Sequence, residues 1–205
     1  MLKIENRASF EEAINSGQIA PVPLAKAYRL ITHGPTVLVS ARHEGVSNVM
    51  AAGWSCGLDF EPPKVTVVVD KVTATRVLMV GSGYFALQVP SATLLQLTYD
   101  VGNTSLIDDP EKLQTTAVHL FDAPDIQAPL VEGCIAWLLC RRIPEAHNEE
   151  AYDLFIGEVE QAWADTRVFR DGHWHFESAP SALRCLHYIA GGQFYAIGES
   201  LEAQT

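Results

Sequence analysis

Apolar positions along this chain recur as short alternating or unbroken runs more often than as helical stripes, which predicts strands. Residues 36–40 are β-branched and apolar, His43-Glu44-Gly45 signals a turn, and residues 47–52 can return as the second arm of a hairpin. Residues 64–69, opened by Pro62-Pro63, give the clearest strand, and residues 84–89 give another. Beyond Pro129, residues 134–141 and 154–163 are apolar and β-prone, and residues 169–176 suit a hairpin around Asp171-Gly172. Helical signals are fewer. Ser9-Phe10-Glu11-Glu12 reads as a capping box, with Ser9 as N-cap, Glu12 reaching back and Gly17 as the C-terminal glycine. Residues 73–80 form a short helix candidate ended by Gly81. Residues 91–101 place Leu94, Leu95, Leu97 and Val101 at helical spacing behind Ser91 as N-cap, and residues 102–112 read as loop. The expectation is a mainly β fold with a few short peripheral helices: one domain over residues 1–205, whose residues 1–30 are an N-terminal helical extension.

Composition narrows the partners. The chain has 205 residues, 48% of them apolar, and can bury a sizeable core. No stretch approaches the roughly 18 consecutive apolar residues of a membrane-spanning helix, and the N-terminus lacks a signal-peptide core. Cys56, Cys134, Cys140 and Cys185 show no CxxC spacing, which fits reduced thiols in a cytoplasmic protein. The net charge of −11 argues against nucleic acid or an anionic membrane as the main partner. Residues 1–80 carry eight Lys/Arg against seven Asp/Glu, whereas residues 81–205 carry six against eighteen. An anionic small ligand meets less repulsion in the N-terminal part.

Three motifs suggest chemistry that their context opposes. Gly53-Trp54-Ser55-Cys56-Gly57 fits the GxSxG pattern of a serine hydrolase, but a nucleophile elbow needs a helix directly after the serine, and Pro62-Pro63 would break it. Gly81-Ser82-Gly83-Tyr84-Phe85-Ala86 matches GxGxxA, with helix and strand in the reverse of the dinucleotide-binding order. His173-Trp174-His175 puts two imidazoles on one strand face, and a zinc site would need a further ligand such as His187, Cys185 or Asp171. A surface or interface pair is the simpler reading, and no metal is expected.

Between His33 and Pro90 the order of features resembles the flavin reductase-like domain of FMN-binding split barrels, the flavoredoxin branch in particular. Asn48, Met50, Ala51, Ala52, Trp54, Pro62, Pro63, Thr75 and Val89-Pro90 stand in matching places. Later, Leu154-Phe155-Ile156-Gly157-Glu158-Val159 and the run from His187-Tyr188 through Gly191-Gly192 to Tyr195 resemble two further family segments. The resemblance implies an FMN-binding split β-barrel working as a homodimer, with FMN near the interface. By it, the cofactor set is Asn48, Met50, Ala51, Ala52, Gly53, Trp54, Ser55, Cys56, Lys71, Thr73 and Thr75, joined by Gln88, which stands where the family commonly has an asparagine near the flavin. The sequence also departs from the family at Ser105-Leu106 and Glu111-Lys112.

The residue types suit such a ligand. Ala51-Ala52-Gly53 lets backbone approach a planar ring, Asn48 offers donor and acceptor, and Trp54 can cover a ring face or pack beneath the loop. Ser55, Thr73 and Thr75 bring hydroxyls, Lys71 and Arg76 bring charge, and a helix starting near Thr73 would aim free N–H groups at a phosphate. The chemistry would then be the cofactor's, with no catalytic side chain. The function expected is NAD(P)H:flavin oxidoreductase or flavoredoxin-like electron carrier, with NADH or NADPH as reductant and a small-molecule or protein electron acceptor. The alternatives are a Ser55 hydrolase and a split-barrel module for another ligand, such as haem or a deazaflavin.

Overall fold

The computed structural model describes residues 7–203 apart from residue 124. It opens with α1 (Arg7–Asn15), which already includes Ser9, so the helix begins upstream of the expected cap; the side chains of residues 7–9 lie outside the described residues. Gly17 ends the turn as expected, at φ 76° and donating to Ile14 O at 2.9 Å. A short strand, β1 (Ile19–Pro21), and one helical turn, α2 (Leu24–Ala27), follow. Strands β2 (Val37–His43) and β3 (Val46–Ala52) make the first hairpin. Its loop residues Glu44 and Gly45 take φ 48° and 80°, the paired left-handed geometry of a two-residue type I′ turn. Strands β4 (Ser55–Phe60) and β5 (Pro63–Val68) make the second. No apolar run announces β4; pairing with β5 orders it.

Helix α3 (Ala74–Ser82) is capped by Thr73, whose Oγ1 accepts from the Arg76 amide at 3.4 Å. It runs past the expected stop at Gly81 and ends at Gly83, φ 74°. Gly81 instead marks close packing, because a Cβ there would lie 2.4 Å from His43 Cδ2. After β6 (Tyr84–Pro90) and a 3-10 turn comes α4 (Leu95–Asn103). Ser91 does not cap it: its Oγ sits 2.6 Å from Thr93 Oγ1. The helix also takes in Gly102, where a Cβ would lie 3.2 Å from Ala51 Cβ, so the expected loop begins only after Asn103. The rest comprises α5 (Lys112–Thr115), β7 (Leu120–Phe121), β8 (Leu130–Val131), β9 (Cys134–Ile143), α6 (Ala146–Tyr152) and β10 (Leu154–Asp165). Two hairpins follow, β11 (Phe169–Arg170) with β12 (His173–Trp174), and β13 (Leu186–Ala190) with β14 (Gln193–Ala196). Asp171 and Gly172 form the turn of the first, as the sequence predicts.

The main sheet is antiparallel, in the order β3-β2-β6-β9-β10-β5-β4, with β1 pairing the far end of β10. Its two edges, β3 and β4, are consecutive in the chain and joined only by Gly53 and Trp54. Such a link spans about 10 Å, so the sheet must curl until its edges almost meet. They are not hydrogen-bonded to each other, and the result is a split barrel. The inner face holds Val37, Val39, Val65, Val67, Phe85, Leu87 and Phe155. The outer face buries Leu38, Val49, Ala86, Trp137 and Leu139 beneath α1 and the segment around Phe121, with Phe10 stacked on Phe121 at 4.5 Å. Burial on both faces is why β2 and β9 read as unbroken apolar runs. Among the described residues no helix is long and apolar enough to cross a membrane.

Gly157 on β10 faces the barrel interior, where an added Cβ would come within 2.5 Å of Phe85 Cζ and 2.9 Å of Cys140 Cβ. Gly157→Ala is expected to lower unfolding free energy by about 1–3 kcal/mol in a denaturant titration.

Candidate functional site

Strand β3 lies at the open edge of the barrel, so alternate backbone N–H and C=O groups along it have no strand partner. Helices α3 and α4 both pack against it. Asn48, Met50 and Ala52 share the face toward the barrel core, whereas Val49 and Ala51 face the outer layer. Buried Asn48 donates from Nδ2 to Thr75 Oγ1 at 2.9 Å, tying β3 to the first turn of α3. Its Oδ1 is buried without a partner, as are Ser55 Oγ and Thr98 Oγ1. A cleft of about 200 Å³ is lined by Ala51, Ala52 and Gly53 from the end of β3, Thr98 and Tyr99 from α4, and Tyr188 and Phe194 from the last hairpin.

The expected residues do not all arrive there. Asn48 and residues 50–55 follow β3 into the link, and Thr75 joins Asn48. Trp54 is 77% exposed, so it does not pack beneath the loop. Cys56 is exposed on β4, its Sγ 3.1 Å from Thr66 Oγ1. Thr73 spends its hydroxyl as the α3 cap and as a donor to Asp70 O at 2.8 Å. Lys71 is largely exposed beside the same helix start, with Nζ 3.9 Å from Asp153 Oδ1.

Gln88 is elsewhere. It lies opposite Leu38 and points to the outer layer, whereas Asn48 lies opposite Ala41 on the other face. Both ends of its amide are bonded inside, Nε2 donating to Ser40 Oγ at 2.8 Å and Oε1 accepting from the Val131 amide at 2.5 Å. The extra methylene is not what removes it from the site; the strand face is.

Arg76 is also spent. Its buried guanidinium donates to Asp153 Oδ1, to Glu149 O at 2.7 Å and to Val69 O at 3.4 Å, and lies 5.3 Å from the Phe155 ring centroid. Arg142 completes the cluster with a bidentate pair to Glu149 at 2.9 and 2.5 Å. This network fastens α3 and α6 to β10 and leaves no free charge for a ligand.

The serine hydrolase reading fails on geometry. Ser55 begins strand β4 and is followed by strand, so there is no elbow. Gly81 lies inside α3 and Gly83 closes that helix before a strand, which likewise removes the dinucleotide loop. His173 and His175 part company: His173 Nε2 is 3.4 Å from Arg29 Nη1, and His175 Nδ1 is 3.2 Å from Glu177 Oε1.

Sequence reasoning missed Thr98, Tyr99, Tyr188 and Phe194. Thr98 carried a signal, since it sits on the apolar stripe of Leu94, Leu97 and Val101, where a hydroxyl needs a reason. The aromatic wall carried none, because it comes from chain about ninety residues away.

The curled antiparallel sheet with its unpaired β3 edge defines a split-barrel protein, and the aromatic-walled cleft lies at the end of that edge. A sequence profile described as flavin reductase-like domain matches residues 28–187, and the chain belongs to that family. The uncharacterized protein YddH of Escherichia coli (strain K12) is 39% identical over 186 residues, covering 89% of this chain and 97% of that protein. Among solved structures, an FMN-binding domain of a flavin reductases-like enzyme from Shewanella baltica OS155 is 61% identical with a TM-score of 0.89, over 91% of this chain and 97% of that one. Flavoredoxin of Desulfovibrio vulgaris (Miyazaki F) shares the fold, at 22% identity and a TM-score of 0.69, over 83% of this chain and 90% of its own.

Burial opposes ionisation of Glu149, but the Arg142 hydrogen bonds, the Glu145 amide and the charges of Arg142 and Arg76 outweigh it and hold its carboxyl below the ordinary value of 4.5. A depressed folded-state pKa adds stability that is present above 4.5 and lost as pH falls through the folded value. Chemical denaturation at stepped pH is expected to show stability dropping below pH 4.5, with a shallower drop in Glu149→Gln.

Proposed function

We propose that the chain binds FMN along the open edge of β3 and serves hydride or electron transfer as a cytoplasmic homodimer. The observation that carries this reading is that three of the buried polar atoms without partners, Asn48 Oδ1, Ser55 Oγ and Thr98 Oγ1, lie on β3, at the start of β4 and in the aromatic-walled cleft, around an unpaired strand edge. Buried polar groups ordinarily find partners; Thr98 lines the cleft, Asn48 lies on β3 and Ser55 opens β4, and a polar, ring-bearing ligand would satisfy such groups. The 61% identity to an FMN-binding domain supports the choice of ligand.

Bound FMN would supply hydride acceptance and one- or two-electron release. The protein's part is to bind and orient. Ala51, Ala52 and Gly53 let the backbone come close, Asn48 Oδ1 accepts from a ring N–H or a ribityl hydroxyl, and Ser55 and Thr98 add hydroxyls. Tyr99, Tyr188 and Phe194, which line the cleft, would pack against the bound ring. The phosphate would take Lys71 Nζ and the free N–H groups at the start of α3. NADH or NADPH would be the reductant, and a small molecule or a protein the electron acceptor. The free state of Cys56, Cys134, Cys140 and Cys185 supports a reducing compartment.

The first test is the visible spectrum of the purified protein with and without added FMN, then with NADH or NADPH in the absence of oxygen. Flavin bands at one per chain that bleach with a nicotinamide are expected, and a colourless protein that takes up no FMN overturns the reading. Asn48→Ala and the near-isosteric Thr98→Val should each raise the FMN dissociation constant by about tenfold in a fluorescence-quenching titration.

Pairing is supported by the apolar surface of β4 and its link, where Trp54, Leu58 and Phe60 are 77%, 52% and 62% exposed. Leu58→Asp combined with Phe60→Asp is expected to shift the sedimenting species from dimer to monomer. An unchanged dimer would place the interface elsewhere.

A further inference from the structure

Away from the β3 groove, the fold assembles a second cluster. His33 sits in the turn before β2, and Cys185, directly before β13, and His187, its second residue, are two residues apart and project from one face of the extended chain. His33 Nε2 is 3.2 Å from Cys185 Sγ, and His187 Nε2 is 3.4 Å from the same sulfur. The three ligand atoms lie within 4.8 Å of one another. A tetrahedral zinc ion with ordinary Zn–S and Zn–N bonds of about 2.3 and 2.0 Å keeps sulfur and nitrogen ligands about 3.2–3.6 Å apart. The spacing around the sulfur already matches.

The surroundings favour coordination. His187 donates from Nδ1 to Gly34 O at 3.0 Å, which fixes its tautomer and leaves Nε2 as a lone pair toward the sulfur. That is the outer-shell arrangement metal-bound imidazoles ordinarily have. The His33 ring is held edge-on by Trp174 at 5.3 Å and lies 5.9 Å from Phe176. The sulfur is fully buried while both imidazoles are half-buried, so the three ligands close the inner side and leave the outer side open to water.

We propose that His33 Nε2, Cys185 Sγ and His187 Nε2 form a mononuclear zinc site with water as fourth ligand. One thiolate with two imidazoles is a donor set zinc accepts, and nothing here resembles the all-oxygen site of calcium or magnesium. Binding replaces the thiol proton: the S–H bond breaks, an S–Zn bond forms, and one proton leaves to solvent, with no change in oxidation state. The ion would staple the turn before β2 to the β13–β14 hairpin. That hairpin lies outside the main sheet and is otherwise tied to the turn by Thr36 N–H to Leu186 O and Tyr188 N–H to Thr36 Oγ1, both 2.8 Å. Since Tyr188 and Phe194 line the cleft, the staple would hold one of its walls. The proposal stands whether or not FMN binds.

The test uses the full chain without a polyhistidine tag, stripped with a chelator under reducing conditions. It is titrated with Zn²⁺ against a chromophoric chelator, and with Co²⁺ as a spectroscopic probe. One ion per chain is expected, with a thiolate-to-cobalt charge-transfer band and a rise in melting temperature. Cys185→Ser should abolish the band, and His187→Gln should weaken binding by at least about tenfold. His173→Ala should change neither. A wild-type protein that takes up no stoichiometric Zn²⁺, or shows no thiolate band with Co²⁺, overturns the proposal without recourse to any variant. So does binding that survives Cys185→Ser or is lost in His173→Ala.

Discussion

Two residues between β3 and β4 impose the shape of this molecule. Gly53 and Trp54 join the opposite edges of the main sheet, and a link that short permits only a sheet curled almost shut. Curling creates an enclosed apolar interior, filled by Phe85, Leu87 and Phe155, and leaves β3 without a strand neighbour. The same constraint therefore makes the core and exposes the backbone edge on which the candidate site is built.

What separates scaffold from site along that edge is whether polar groups are already satisfied. Gln88, Ser40 and the Val131 amide form a closed chain inside the outer layer, and Arg76, Asp153, Glu149 and Arg142 form another around Phe155. Both are bonded within the protein at the ends that would otherwise face a ligand. Asn48, Ser55 and Thr98 are buried to a similar degree at their polar atoms and remain open. A charge that looks available in the sequence, such as Arg76 two positions before Leu78, can thus be a structural lock. An inconspicuous threonine, Thr98, keeps a buried hydroxyl without a partner.

The C-terminal hairpin shows the same logic at the level of elements. It pairs with no strand of the main sheet, yet it supplies the aromatic wall of the cleft and, with the residue before it, two of the three side chains that cluster there, His187 and Cys185 beside His33. Its contribution rests on a few hydrogen bonds to the turn before β2, where His33, Gly34 and Thr36 lie. Position of the cleft wall is accordingly sensitive to whatever holds that turn and hairpin together.

Local chemistry determined much of this from the sequence alone. Strand runs, the Glu44-Gly45 and Asp171-Gly172 turns, the Thr73 start of α3 and the small residues 51–53 depend on neighbours within a few positions, and these stand where the pattern puts them. The ordered set of residues between His33 and Pro90 also sufficed to indicate the family. Tertiary structure alone decided the rest. Strand face, which changes with every one-residue step, turned Gln88 away from Asn48. Packing distance made Gly81 and Gly102 parts of helices, because a glycine that admits a neighbour looks in sequence like one that ends a helix. The meeting of His33 with Cys185 and His187, and of Thr98 with Tyr188 and Phe194, joins residues about 90 to 150 positions apart, and only the closed path of the chain brings them together.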